Sequence, residues 1–146
     1  MTDTEIEVRL LGPGDHAVLS RVHDDVFDNP VRAESLANFL ADTRHVMAIA
    51  LDDDLVIGMC SAFEYFHPDK PPHMFLNEIA VARPWRRRGI GRRLATAIMD
   101  EARRRGCTFV WAGTEHDNAA ARRLFERVGE PNAAEPFVFY GWGREG

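Results

Sequence analysis

Between His45 and Val81, three apolar runs of strand length follow one another with only two breaks: HVMAIAL (45–51), LVIGMCSAFEYF (55–66) and HMFLNEIAV (73–81). The first break, DDD (52–54), is a turn, so the first two runs are read as a hairpin. The second, HPDKPP (67–72), is too rich in proline for regular structure. Before this block, VRLL (8–11) is a strand candidate and GPGD (12–15) is turn chemistry, with Asp15 placed to cap a helix. Val18, Leu19, Val22 and Val26 recur at helical spacing, which predicts a helix from Asp15 to Phe27, broken by DNP (28–30). A second helix fits Glu34 to Ala41, with Leu36, Phe39 and Leu40 inward. After the block, Leu94, Ile98 and Ala102 fall at i, i+4 and i+8 on one helix face, and Gly106 suits its left-handed stop. CTFVWAGT (107–114) is a strand, NAAARRLFERVG (118–129) a helix with Asn118 as N-cap candidate, and PFVFYGW (136–142) a final strand. The expected fold is one α/β or α+β domain over 1–146. Its mixed sheet has hairpins in the middle and a strand–helix–strand crossover near the end.

Composition narrows the function classes. At 45% hydrophobic and 28% charged residues, the 146-residue chain has the make-up of a globular domain with a real core. No apolar run approaches the ~18 residues a membrane span needs. The opening MTDTEIEVRL has neither the basic flank nor the apolar run of a signal peptide, so a cytoplasmic place and no membrane partner are expected. Cys60 and Cys107 form no CxxC pattern and read as small buried hydrophobes. His67 and His73 are the closest histidine pair, but no metal-ligand spacing is present, so no metal is expected. Net charge is −5 and unevenly divided. Residues 1–82 hold 15 acidic and five basic side chains; residues 83–146 hold eight acidic and 13 basic. An anionic ligand suits the second half and a cationic one the first. A nucleic-acid partner is not expected, because the chain is acidic overall and lacks an aromatic stacking pattern.

The basic half begins with RPWRRRGIGRRLATAIMDEARRRG (83–106), where nine of 24 residues are arginine and Gly89 and Gly91 sit in the middle. A strand leads through this loop into a helix. The first N–H groups of a helix lack partners and its dipole is positive there, so glycines that let a ligand approach the backbone make an anion cradle. Arginines can add charge-assisted bonds to phosphate. The spacing is neither GxxxxGK[ST] nor GxGxxG, which argues against a P-loop and a dinucleotide fold. Arg93, Arg103, Arg104 and Arg105 lie far from the loop and read as a solvated, salt-bridged helix face.

Arg86-x-x-Gly89-x-Gly91, preceded by the strand EIAV and followed some 25 residues later by DNAAARRLFERVG, resembles the pyrophosphate loop and second motif of the GNAT superfamily of acetyl-CoA-dependent N-acetyltransferases. The resemblance covers nearly the whole chain. It implies a mostly antiparallel sheet of six to seven strands, splayed between the fourth and fifth. It also implies acetyl-CoA as cofactor and transfer of acetyl to a small-molecule amine acceptor by direct attack. By carry-over, Ile79, Ala80 and Val81 would hold pantetheine. Arg86, Arg87, Arg88, Gly89, Ile90, Gly91 and Arg92 would hold the pyrophosphate, and Asn118, Ala121 and Phe125 would also contact the cofactor. Asn118 can equally be a plain N-cap. Glu78 is the candidate base. The motif tyrosine that protonates the leaving thiolate is Phe125 here, so Tyr140, a water or unaided departure must serve. This departure leaves open a CoA-binding module that has lost catalysis.

The layout FEYFHPDKPPHMFLNEIAV followed by TEHDNAAARRLFERVG looks, more loosely, like the aminoglycoside 3-N-acetyltransferase branch. That likeness and the acidic N-terminal half place Asp28, Glu64, Asp69, Glu115 and Asp117 around a cationic acceptor. The alternatives are a polyamine, a small metabolite amine and a peptide N-terminus, with a homodimer as an admissible assembly.

Overall fold

The computed structural model describes residues 5–145. Five strands form one open sheet in chain order: β1 (Ile6–Leu10), β2 (His45–Asp52), β3 (Leu55–Tyr65), β4 (His73–Val81) and β5 (Phe109–Trp111). The first four pair antiparallel and β5 joins β4 in parallel. Three helices accompany them: α1 (Ala33–Ala41), α2 (Ile90–Arg104) and α3 (Ala119–Glu126). No helix among the described residues is long and apolar enough to cross a membrane.

Two cores follow from strand alternation, which sends successive side chains to opposite faces. On one face Val46, Ala48 and Ala50 of β2 and Met74 and Leu76 of β4 meet Ile90, Leu94, Ala95, Ile98 and Ala102 of α2. These are the i, i+4 and i+8 positions of the helix and their neighbours. On the other face Met47, Ile49 and Leu51 meet Leu19, Val26, Leu36 and Phe39. Beyond the end of α2, Arg105 binds Glu64 (3.0 Å) and Glu101 (2.8 Å) and donates to the Thr43 carbonyl. Its side chain is only 19% exposed, so Arg105 ties the helix end to the sheet instead of lying on a solvated face. Arg93 is exposed, as expected, while its guanidinium donates to the Ile6 carbonyl (3.0 Å).

Three further expectations are corrected. The helix expected over 15–27 is a short 3-10 turn, His16–Ser20. Beyond it the chain runs beside β3, where Val56 N–H donates to the Arg21 carbonyl and His23 N–H to the Val56 carbonyl, both at 2.9 Å. The apolar positions are still buried at Leu19 and Val26, but the backbone is satisfied by the sheet and not by a helix. The strand expected over 136–142 has no regular structure, and Phe137, Val138, Phe139, Tyr140 and Trp142 are exposed. High β-propensity does not make a strand without a backbone partner. The sheet among the described residues therefore has five strands, not six to seven.

Candidate active site

The site is organised by the way β4 parts from β5. Only His73, Met74 and Phe75 pair with β5, at Phe109, Val110 and Trp111. This corner is held by aromatic contacts, with the Phe75 and Trp111 rings 4.4 Å apart and the Trp111 indole donating to the Tyr65 hydroxyl (2.6 Å). Beyond Phe75, no strand among the described residues pairs with the outer edge of β4. Its polar groups, including those of the expected pantetheine residues Ile79, Ala80 and Val81, alternate between β3 and that open edge. One of them is taken, since the Arg86 guanidinium donates to the Val81 carbonyl (2.8 Å).

The loop after β4 is anchored before it reaches the glycines. A 3-10 turn spans Arg83–Trp85. Its Arg83 N–H donates to the Asp25 carboxylate (3.0 Å), which holds that carboxyl below its usual range. The Trp85 indole donates to Asp52 (3.0 Å), and the ring meets His23 edge-on. The backbone then enters the left-handed region twice, at Arg87 (φ 66°) and at Gly89 (φ 75°), the N-cap of α2. Arg93 N–H is bonded to the Gly89 carbonyl, so the amides before it open the helix without an acceptor inside it. Gly91 lies close to α3: a Cβ there would stand 3.4 Å from the Leu124 methyls and 3.8 Å from Val81. This cradle suits a phosphate group through helix amides, helix dipole and surrounding arginines.

The residues of the second motif divide between packing and the cradle. Asn118 caps α3 by accepting from Ala121 N–H (3.1 Å). Phe125 is half-buried and packs on the α2-side core. Leu124 is the side chain that meets the Gly91 cradle. Tyr140 is 70% exposed in the irregular C-terminal stretch, its ring stacked on Trp142. No hydrogen bond among the described residues brings its hydroxyl to β4.

On the sheet face away from α2 lies a cavity of about 450 Å³. Its floor is Leu19, Met47 and Ser61; its walls include Phe27, Leu36, Phe39 and Phe63. Asp28, Arg32 and Glu78 stand exposed among the residues that line it. Glu78 reaches this face because of a bulge. Ser61 aligns with Glu78 but Ala62 with Leu76, so Asn77 is an extra residue on β4. Strict alternation from Met74 and Leu76 would have sent Glu78 into the α2-side core. With the bulge, Asn77 and Glu78 line the cavity while Ile79 and Val81 pack toward α2. Cavity, open β4 edge and glycine loop thus meet along one strand.

Of the expected acceptor residues, the cavity gathers Asp28 alone, beside the expected base Glu78. Glu64 faces α2 and is bound to Arg105. Asp69 pairs with Lys70 (3.3 Å), and Glu115 and Asp117 are exposed in the turn before α3. Ser61, Asn77 and the aromatic walls were missed from sequence. The available signal was the switch of apolar parity in HMFLNEIAV, from Met74 and Leu76 to Ile79 and Val81. The His67 and His73 rings meet edge-on with centroids 4.5 Å apart, and no cluster of three or more metal-ligating side chains exists among the described residues.

The sequence model of the acetyltransferase (GNAT) family matches residues 17–129. Over 81 residues, 56% of this chain, the sequence is 31% identical to N-alpha-acetyltransferase 30 of Schizosaccharomyces pombe and covers 54% of it. The chain thus spans about half the length of that curated relative. Among solved structures, it resembles an aminoglycoside acetyltransferase, meta-AAC0020, from an uncultured soil metagenomic sample, in complex with trehalose. The TM-score is 0.83 at 20% identity, over 98% of this chain and 99% of that one. It also resembles AAC(6')-Iy in complex with a bisubstrate analogue, CoA-S-monomethyl-acetylneamine, with a TM-score of 0.75 at 20% identity over 94% and 97% of the two chains. At these identities the structural likeness is one of fold.

Proposed function

We propose that this chain, which belongs to the acetyltransferase (GNAT) family, transfers an acetyl group from acetyl-CoA to a primary amine held in the Asp28–Glu78 cavity. The observation that carries this reading is the convergence on β4. The strand has an open edge beyond Phe75, ends in the Arg86–Gly91 cradle, and presents Glu78 to a cavity on its other face. Acetyl-CoA supplies the acyl group as an activated thioester. The amides of Gly89, Ile90, Gly91 and Arg92, with Arg86, Arg87 and Arg88 around them, would hold its pyrophosphate, and the open edge of β4 its pantetheine amides.

Glu78 accepts the proton that an incoming ammonium must lose before its nitrogen can attack. It does so directly or through one water, and Asp28 adds a second negative charge that attracts the cation. The leaving thiolate needs no dedicated acid, since a thiol's ordinary pKa is about 8.5. This accommodates Phe125 in the motif and Tyr140 on the surface. The cavity supports a cationic acceptor. The narrower aminoglycoside-like reading rests on fold likeness, because Glu64, Asp69, Glu115 and Asp117 do not line the cavity. A peptide N-terminus is the second reading, favoured by the N-alpha-acetyltransferase relative.

The test is thiol release from acetyl-CoA on an amine and peptide panel, alongside direct CoA binding. Release with any amine, saturating in both substrates, supports transfer. Tight CoA binding with no turnover on any amine would leave a binding module instead.

A further inference from the structure

The cavity's lining says more about the acceptor than its two carboxylates do. Leu19, Phe27, Leu36, Phe39, Met47 and Phe63, with Pro30, Val31 and Ala62, supply its apolar floor and walls, and Asn29, Ser35, His45, Ser61 and Asn77 its uncharged polar groups. Its charged side chains are Asp28, Glu78 and Arg32, a formal sum of −1. A polycation in that space would bring several ammonium groups against an apolar wall, with a single net charge to meet them. Desolvating the unmatched charges opposes binding. One ammonium is matched, and the apolar wall then has to be matched by something apolar.

The polar end is marked by an independent feature. Ser61 lies on the floor, 5% exposed, and its hydroxyl has no hydrogen-bond partner among the described residues. Buried hydroxyls are nearly always bonded, so the orphan at the cavity floor calls for a partner, which a ligand atom supplies once the Ser61 side chain turns about χ1 toward the cavity. Ser61 is the β3 residue aligned with Glu78, which puts the orphan hydroxyl beside the candidate base. Resting on the acetyltransfer reading, we propose that the acceptor is a monocationic primary amine with an apolar, aryl or branched-alkyl body: the nitrogen sits between Ser61 and Glu78, and the body lies against Phe39 and Phe63 under α1.

The experiment is a homologous series, n-propylamine to n-hexylamine, with 2-phenylethylamine, spermidine, kanamycin, and tetrapeptides beginning with Phe, Gly or Lys. We expect kcat/KM to climb by ~4-fold per added methylene, the increment of one buried CH₂, carried mainly by KM. Phenylethylamine should exceed spermidine and kanamycin by ~10-fold or more on the same argument. Leu36→Asn removes part of the apolar wall and should flatten the slope, with CoA affinity by isothermal titration reporting an intact fold and cofactor site. Ser61→Ala should lower the whole series in parallel, changing the intercept and not the slope. The slope of the unmodified protein stands whether or not either variant folds. Turnover of the Phe peptide above phenylethylamine would identify the source as a chain terminus with an apolar first residue, and the reverse a free amine; both support the apolar body. A flat series, or preference for spermidine, kanamycin, or the Gly or Lys peptide, overturns it and leaves acetyl transfer standing. CoA binding with no amine acetylated overturns acetyl transfer and this inference with it.

Discussion

At the scale of single residues, Glu78 shows how one inserted neighbour sets a role. The Asn77 bulge turns a carboxylate that strict pleating would bury into one that lines the cavity. Glu78→Gln keeps shape and polarity but cannot accept a proton. Its kcat/KM should fall by ~10²-fold, most steeply below the pKa of the amine, with CoA affinity unchanged. Steady-state kinetics across pH reads both; a loss under ~3-fold throughout would move the base elsewhere. Glu101 has a structural role of the opposite kind. Arg104 and Arg105 bond its buried carboxylate, and these bonds outweigh desolvation, bringing its pKa from 4.5 down to about 2. A carboxyl depressed in the folded state adds stability above its unfolded pKa and loses it as pH falls toward the folded one. Glu101→Gln should therefore cost about 2 kcal/mol at neutral pH, the scale of a charge-assisted bond. That deficit should shrink between pH 4.5 and pH 2, as read by urea unfolding at each pH.

At the scale of elements, α2 does two jobs with opposite ends. Its last turn and the residue after it anchor to the sheet through Glu101, Arg105 and Glu64, while its first turn leaves amides open beside α3. Gly91 stands where those first amides meet Leu124. Gly91→Asp places a side chain and a negative charge at the cradle, so CoA Kd should rise by ~10-fold or more, the scale of a lost charge-assisted phosphate contact. Gly91→Ala adds only a methyl, 3.4 Å from Leu124 methyls, which is ordinary contact distance, and should weaken CoA far less. Isothermal titration of both variants checks the pair. Equal affinity in wild type and the Asp variant would remove the phosphate site from this loop.

At the scale of the whole molecule, charge is divided as the ligands would be. Residues 1–82 carry 15 acidic against five basic side chains, and the remainder eight against 13. Steering of an ammonium by exposed carboxylates should weaken as the Debye length shrinks from ~10 Å at 0.1 M salt to ~3 Å at 1 M. KM for the amine should then rise a few-fold with kcat nearly constant, by analogy with other steered encounters. Asp28→Asn should reproduce the rise at low salt. Glu64→Gln should not, because Glu64 belongs to Arg105 on the opposite face of the sheet. A salt-independent KM would reject steering.

Most of the strands and helices were legible because their signals are local. Apolar runs between turns gave β2, β3 and β4, the i, i+4, i+8 stripe gave α2, and Asn118 gave the start of α3. The left-handed N-cap of the loop is written in glycine placement at Gly89, whereas the second left-handed residue, Arg87, carries no such signal. What the sequence could not settle was whatever depends on a partner distant in the chain. The segment after His16–Ser20 takes its hydrogen bonds from β3 instead of continuing as a helix, and 136–142 has strand propensity but no strand to pair with. Of five acids expected around the acceptor, tertiary placement put only Asp28 in the cavity and gave Glu64 to Arg105. A carboxylate's charge is fixed by its covalent structure. The face it occupies is set by sheet register, and one bulged residue at Asn77 was enough to decide it for Glu78.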